Sequence, residues 1–342
     1  MKQIVQSHFC YLVSIAAVVF FGCLPQVGIS SSVNAQNAAH CTLINLMPDF
    51  WTYCAGARVM KPADRVEALK RDLIEPHQTI FDAALKPSMG QLKDASIAKY
   101  IDIVDAKIPL IRTISAEFPS ALTESCEVFG KTFPDMNWRW NAYLMPSLYT
   151  FDGMSSEIDS QSVMLFGADA LADEYKSLSG TDFKTFLTHE VFHIYHHQIL
   201  PDEFDEYMGS MRVYKPLYLC LWTEGLACYV SQVINPKASL AEVVLSKELA
   251  ETAPKSATGI AKEFGTAFAS TTSNDHARFF SAGYKGALPA RSGYYLGLIV
   301  VQHLSEKHPL KELVRLSGRE LEEEIRNALR EISTSGDAIK TL

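Results

Sequence analysis

The sequence is poor in several things at once. Glycine (18 residues), proline (15) and cysteine (7) are all scarce in a chain of 342 residues. That excludes a collagen-like fibre, a low-complexity chain and a disulfide-dense mini-protein. There is no block of lysine or arginine, and 39 acidic side chains against 31 basic ones leave a net charge of −8. Nucleic-acid binding needs a basic footprint, so no nucleic acid is expected as a partner. No internal repeat stands out either. What is present is 48% apolar and 20% charged residues, enough for the buried core of one large domain or two modest ones.

Charge is most depleted at the start, where Lys2 is the only charged residue before Asp49. The stretch Tyr11 to Leu24 is apolar apart from one serine. As a helix it rises about 21 Å, short of the roughly 30 Å hydrocarbon core of a bilayer. Val33-Asn34-Ala35 then offers small residues for cleavage. Residues 1–35 therefore read as a signal peptide, with the mature chain starting near Gln36 and no stable membrane span after cleavage. The expected location is periplasmic or extracellular. A lipid anchor through Cys23 fits less well, because Phe20 stands where a leucine is usual. Export leaves Cys41, Cys54, Cys126, Cys220 and Cys228. A bridge among the first three is open, and an odd count leaves at least one thiol free.

Residues 36–130 read as a helical region. Val66, Leu69, Leu73 and Ile74 recur at helical spacing after Pro62. Ile97, Ile101, Val104, Ile108 and Ile111 mark a longer helix ending near Pro119, with a loop around Cys126 to Pro134. The period then changes: Asn141 to Tyr149 and Ser162 to Ala168 read as strands, separated by Asp152-Gly153 and several serines. A helix is expected from Thr181 or Asp182 to Leu200, and a second from Pro216 to Asn235-Pro236. Residues 238–269 read as helical and 271–293 as a long irregular loop. Helices near Gly293 to Lys307 and through Leu321, Ile325, Leu329 and Ile332 close the chain. The class is α+β, mostly helical, with a small sheet beside the central helix pair.

The central helix carries His189-Glu190-Val191-Phe192-His193, an HExxH motif. Histidines at i and i+4 lie about 40° apart around a helix and 6 Å apart along it, so both imidazoles can reach one zinc ion. Glu190 beside them is positioned to take a proton from an attacking water. Further on comes Trp222-Thr223-Glu224-Gly225-Leu226-Ala227-Cys228-Tyr229. A carboxylate is costly to bury unless paired or bound to metal, and glycine weakens a helix interior. Both make sense if this helix packs tightly on the HExxH helix and Glu224 completes the ligand set. The plainer alternative is a buried glutamate paired with one of the histidines. His197, one turn past His193, is a weaker ligand candidate, and His196 lies next to it. His276 and Arg291 fall in or beside the long loop, where substrate contacts are expected.

HEVFH followed by WTEGLACY resembles the gluzincin class of zinc metallopeptidases, and among them the bacterial predicted zinc-dependent proteases with HExxH, EGLA and a tyrosine-containing helix. The resemblance covers roughly residues 137–330. It implies a zincin-like catalytic domain over 131–342, Zn²⁺ held by His189, His193 and Glu224, Glu190 as general base, and a peptide or protein substrate. It also implies an oxyanion donor at the start of the Gly293-Tyr294-Tyr295-Leu296-Gly297 helix, with Tyr294 favoured and Tyr295 the alternate. Two features depart from the pattern. Thermolysin-like enzymes have an aspartate one turn after the glutamate ligand, where Cys228 stands here. The amine-recognition signature of related aminopeptidases has only a partial echo in Asp152-Gly153-Met154-Ser155. The competing expectation is a non-catalytic zinc-binding protein, or an inactive protease-like interaction protein.

Overall fold

The computed structural model describes residues 35–37, 41–85, 92–159, 161–208 and 211–334. The expected leader thus falls outside the described residues, apart from Ala35. Strands β1 (Ala35–Asn37) and β2 (Thr42–Asn45) lead into helices α1 (Met47–Ala57), α2 (Pro62–Leu69), α3 (Gln78–Leu85), α4 (Asp94–Val104) and α5 (Ile108–Thr132). Next come β3 (Asn141–Met145), β4 (Gly153–Ile158), β5 (Gln161–Gly167) and α6 (Ala168–Glu174). A hairpin of β6 (Glu206–Met208) and β7 (Met211–Val213) separates α7 (Thr181–Ile199) from α8 (Leu217–Ile234). Short helices α9 (Leu240–Val243), α10 (Lys247–Thr252), α11 (Ala257–Thr266) and α12 (Ser273–Phe280) follow. The chain ends in α13 (Ser292–Ser305), α14 (Leu310–Leu313) and α15 (Gly318–Thr334). The fold is α+β and mostly helical.

The sheet has the order β1-β2-β3-β5-β4. Its centre is parallel, β2 with β3 and β3 with β5, and antiparallel pairs close both sides. Parallel strands need a long crossover. Helices α1 to α5 supply it between β2 and β3, so the N-terminal region contributes strands as well as helices. Leu144 of β3 and Val163 to Phe166 of β5 are fully buried, as befits strands covered on both faces.

Three sequence expectations need correcting. The Ser162–Ala168 run is β5, hydrogen-bonded to β3 on one side and to the next strand on the other. The segment read as a separator is itself β4, the outer strand. Its Gly-Met-Ser-Ser-Glu-Ile sequence has little intrinsic strand preference, and pairing with β5 decides its conformation. Second, α5 runs through Pro119 to Thr132, because Phe118, Leu122, Cys126 and Phe129 form a buried stripe whose packing outweighs the proline. Third, α12 interrupts the supposed loop 271–293. Thr272 caps it by accepting from the Asp275 amide. None of the five described cysteines is bridged, although Cys41 Sγ and Cys126 Sγ touch at 3.9 Å.

One buried carboxylate holds the turn after β3. Leu148 and Tyr149 are left-handed, with φ of 54° and 55°. Buried Asp169 holds them by accepting from Ser147 N at 2.7 Å, Ser147 Oγ at 2.8 Å and Tyr149 N at 3.1 Å. A side chain at Gly167 would meet the Phe151 carbonyl at 2.2 Å, so only glycine lets the turn close.

Helix α8 lies between α7 and α13. Where α8 crosses α13, a Cβ on Gly225 would sit 2.5 Å from the Gly297 carbonyl carbon, and one on Gly297 2.5 Å from the Leu221 carbonyl oxygen. Gly225 therefore serves the contact with α13, not the expected one with α7. Two backbones touching cannot be repacked by side-chain movement. Gly225→Ala should lower stability by about 3 kcal/mol or more, beyond ordinary overpacking. Gly265→Ala on α11, where an added Cβ meets nothing within 4 Å, should be neutral or stabilising by up to about 1 kcal/mol. Thermal melts of the two variants compare them directly.

Candidate metal centre

Three ligand atoms from two helices converge. His189 and His193 on α7 bring their Nε2 atoms 3.1 Å apart. Glu224 Oε2 on α8 lies 3.2 Å from His189 Nε2 and 3.6 Å from His193 Nε2. Metal–ligand bonds of about 2.05 Å at tetrahedral angles put ligand atoms about 3.3 Å apart. The three observed separations bracket that value, so the donor set fits a small divalent ion. It is the one group of three or more metal-ligating side chains found among the described residues. Its members are buried, with His189 and Glu224 each 1% exposed.

The electrostatics follow from that burial. Desolvation lowers the His189 pKa to about 4, which favours the neutral imidazole that metal binding needs. His193 feels the same desolvation, but Glu224 outweighs it and the pKa rises. Desolvation also works against the Glu224 carboxylate, yet the two histidines hold its pKa well below the usual range. Glu190 is pushed up to about 8, mainly by burial, with Asp152 and Glu224 adding repulsion.

Glu190 sits against the outer strand. A Cβ on Gly153 would come within 2.7 Å of the Phe186 ring and 3.2 Å of the Glu190 carboxyl carbon, so glycine lets β4 pass close over α7. The Asp152 side chain is buried next to it and accepts from the Gly153 amide at 2.7 Å. Sequence reasoning took this dipeptide for a loop marker. The signal it missed was an Asp-Gly pair directly ahead of the second strand leading to the HExxH helix.

On the far side, Tyr294 stacks on His189 with ring centroids 6.0 Å apart and planes 14° off parallel. The Arg291 guanidinium also lies over Tyr294, 4.3 Å from its ring centroid. Tyr295, 1% exposed, is packed into the core one residue further round α13. The remaining candidates lie apart. His197 Nδ1 meets Ser162 Oγ at 3.3 Å, His196 faces Glu203 at 3.5 Å, and His276 Nε2 meets the Lys215 carbonyl at 3.1 Å. None of these three joins the His189–His193–Glu224 group.

Cys228 stands where a carboxylate was expected, and its Sγ lies 3.9 Å from His189 Nδ1. A ligating histidine is normally oriented and made more basic by an acceptor on its outer nitrogen. A buried thiol is a weak acceptor, and burial keeps this one protonated by pushing its pKa up. Nothing matches this chain in comparisons with protein-family models, with curated proteins or with solved structures.

Two outcomes test the centre. Zinc should raise the melting temperature of the native chain, and His189→Ala or Glu224→Ala should abolish that rise, since an ion that binds only the folded state stabilises it. Cys228→Asp should tighten zinc binding by about tenfold by giving His189 a strong acceptor, measured by chelator competition.

Proposed function

We propose that this chain is an exported zinc-dependent peptidase. The observation that carries the reading is the set of three convergent ligand atoms with Glu190, a carboxylate that is no ligand, on the same helix. Catalytic zinc sites keep three protein ligands and an open position, whereas structural ones close with four. Bound zinc would supply Lewis acidity for the scissile carbonyl and acidify a water.

The protein's own groups would then do the following. Glu190 accepts a proton from the attacking water and returns it to the leaving amine. Burial and the neighbouring carboxylates keep Glu190 a strong base once ionised. Tyr294 is the candidate to donate its hydroxyl to the developing oxyanion, a contribution of roughly 3 kcal/mol in comparable sites. The ring contact with His189 keeps that tyrosine beside the ligands.

A non-catalytic zinc protein is the competing reading, and the depth of the cluster favours it. Glu190 itself is only 6% exposed. That reading calls for a fourth protein ligand, however, and the group contains three among the described residues. It also gives Glu190 nothing to do.

Glu190→Gln should keep zinc, measured by metal analysis, and lose peptide hydrolysis by at least about a thousandfold, since it removes the base and leaves the ligands. Retained hydrolysis in that variant would sink the mechanism. Tyr294→Phe should lower kcat by about a hundredfold with little change in KM, because the hydroxyl acts on the transition state. Tyr295→Phe should be milder. The reverse order would assign the donor to Tyr295.

A further inference from the structure

Arg291 is built into the site but the mechanism above leaves it idle. It is 6% exposed, and its backbone is left-handed at φ 59°, a conformation disfavoured for any residue with a side chain. It forms the N-cap of α13, a helix of 14 residues, without a side-chain cap to that helix's backbone amides, and its guanidinium is hydrogen-bonded to the Tyr294 side chain. Of its nitrogens, Nη1 donates to the Leu245 carbonyl at 3.0 Å. Nε and Nη2 are buried with no acceptor, and so is the hydroxyl of Ser292 beside it. The carboxylates of Asp152 and Glu224 act on Arg291 electrostatically, yet neither accepts from those two nitrogens.

Buried donors are normally satisfied, and an orphaned charged one is costly. Nε and Nη2 share one edge of the guanidinium plane, the edge that grips a carboxylate with two parallel hydrogen bonds. They stand at a helix N-terminus, where the dipole favours negative charge. The guanidinium and His189 both pack on the Tyr294 ring.

We propose that Arg291, with Ser292 and the first turn of α13, binds a carboxylate of the peptide substrate beside the metal centre. The proposal rests on the peptidase reading for the word substrate, and on the open donors for the word carboxylate. Its source is either the peptide C-terminus, which makes the enzyme a carboxypeptidase, or an acidic side chain next to the scissile bond.

Zinc-loaded full chain is assayed on peptides in matched pairs, one pair ending in a free acid or an amide, the other carrying an internal Glu or Gln. The acidic member of one pair should show a KM about ten- to a hundredfold lower, the range for a hydrogen-bonded charge. The pair that discriminates identifies the source. Arg291→Gln should erase the difference, and Arg291→Lys, which keeps charge but not the two-pronged edge, should retain part of it. Equal kinetics in both pairs overturn the proposal, and the wild-type comparison stands even if the variants fail to fold. If no peptide is cleaved, the peptidase reading falls and calorimetry decides the carboxylate site alone. N-acetylglycine should then bind the zinc-loaded chain and N-acetylglycinamide should not, with binding lost in Arg291→Gln; equal behaviour of the two overturns it.

Discussion

A carboxylate that is 1% exposed and lies between two imidazoles is the constraint on which the centre of this molecule depends. Glu224 cannot stay charged there without compensation, because burying an isolated carboxylate costs far more than any single contact returns. Compensation must come from α7, so the register of α7 against α8 is fixed to within a turn. A one-residue slip of either helix would turn Glu224 about 100° away from the histidines. The same requirement extends outward. Glu190 follows His189 directly, so fixing the two histidines also fixes Glu190 against β4, where Gly153 makes room for it.

Helix α13 is held by a different device. The Gly225–Gly297 contact brings two backbones together on a different side of α8 from Glu224. That close approach goes with a first turn of α13 from which Tyr294 stacks on His189. Glu224 and Gly225 are adjacent in sequence and therefore face about 100° apart, one toward α7 and the other toward α13. Two neighbouring residues thus define both interfaces of the central helix. This is the physical content of an acidic residue followed by glycine inside an apolar helix.

Much of this was legible because it is local. The i, i+4 histidines, the costly Glu224 and the helix ends at Pro201, Pro216 and Asn235-Pro236 all depend on short-range geometry, and the helices fall where those signals put them. The unread parts depend on partners distant in sequence. Gly225 announces a close approach, but nothing nearby says to which helix. Pro119 looks like a terminator until the buried stripe on both sides of it is seen to span one helix. Strand β4 has a loop's composition and becomes a strand through β5, and the open donors of Arg291 cannot be counted before its neighbours are known.

The charges around the centre show why a divalent ion suits it. Asp152, Glu190 and Glu224 bring three buried carboxyl groups, and Arg291 brings one buried cation. With all three ionised the pocket is short of two positive charges. In the ion-free chain, burial raises the Glu190 pKa to about 8, and Glu224 raises that of His193, so both groups are biased toward holding a proton. Two protons make up the same two charges. A divalent ion at the three ligand atoms supplies them at one point instead, frees the His193 lone pair for coordination, and lets Glu190 ionise without leaving its site. A loaded centre therefore favours the ionised form of Glu190, which ties that carboxylate to the ion through charge balance as well as through position.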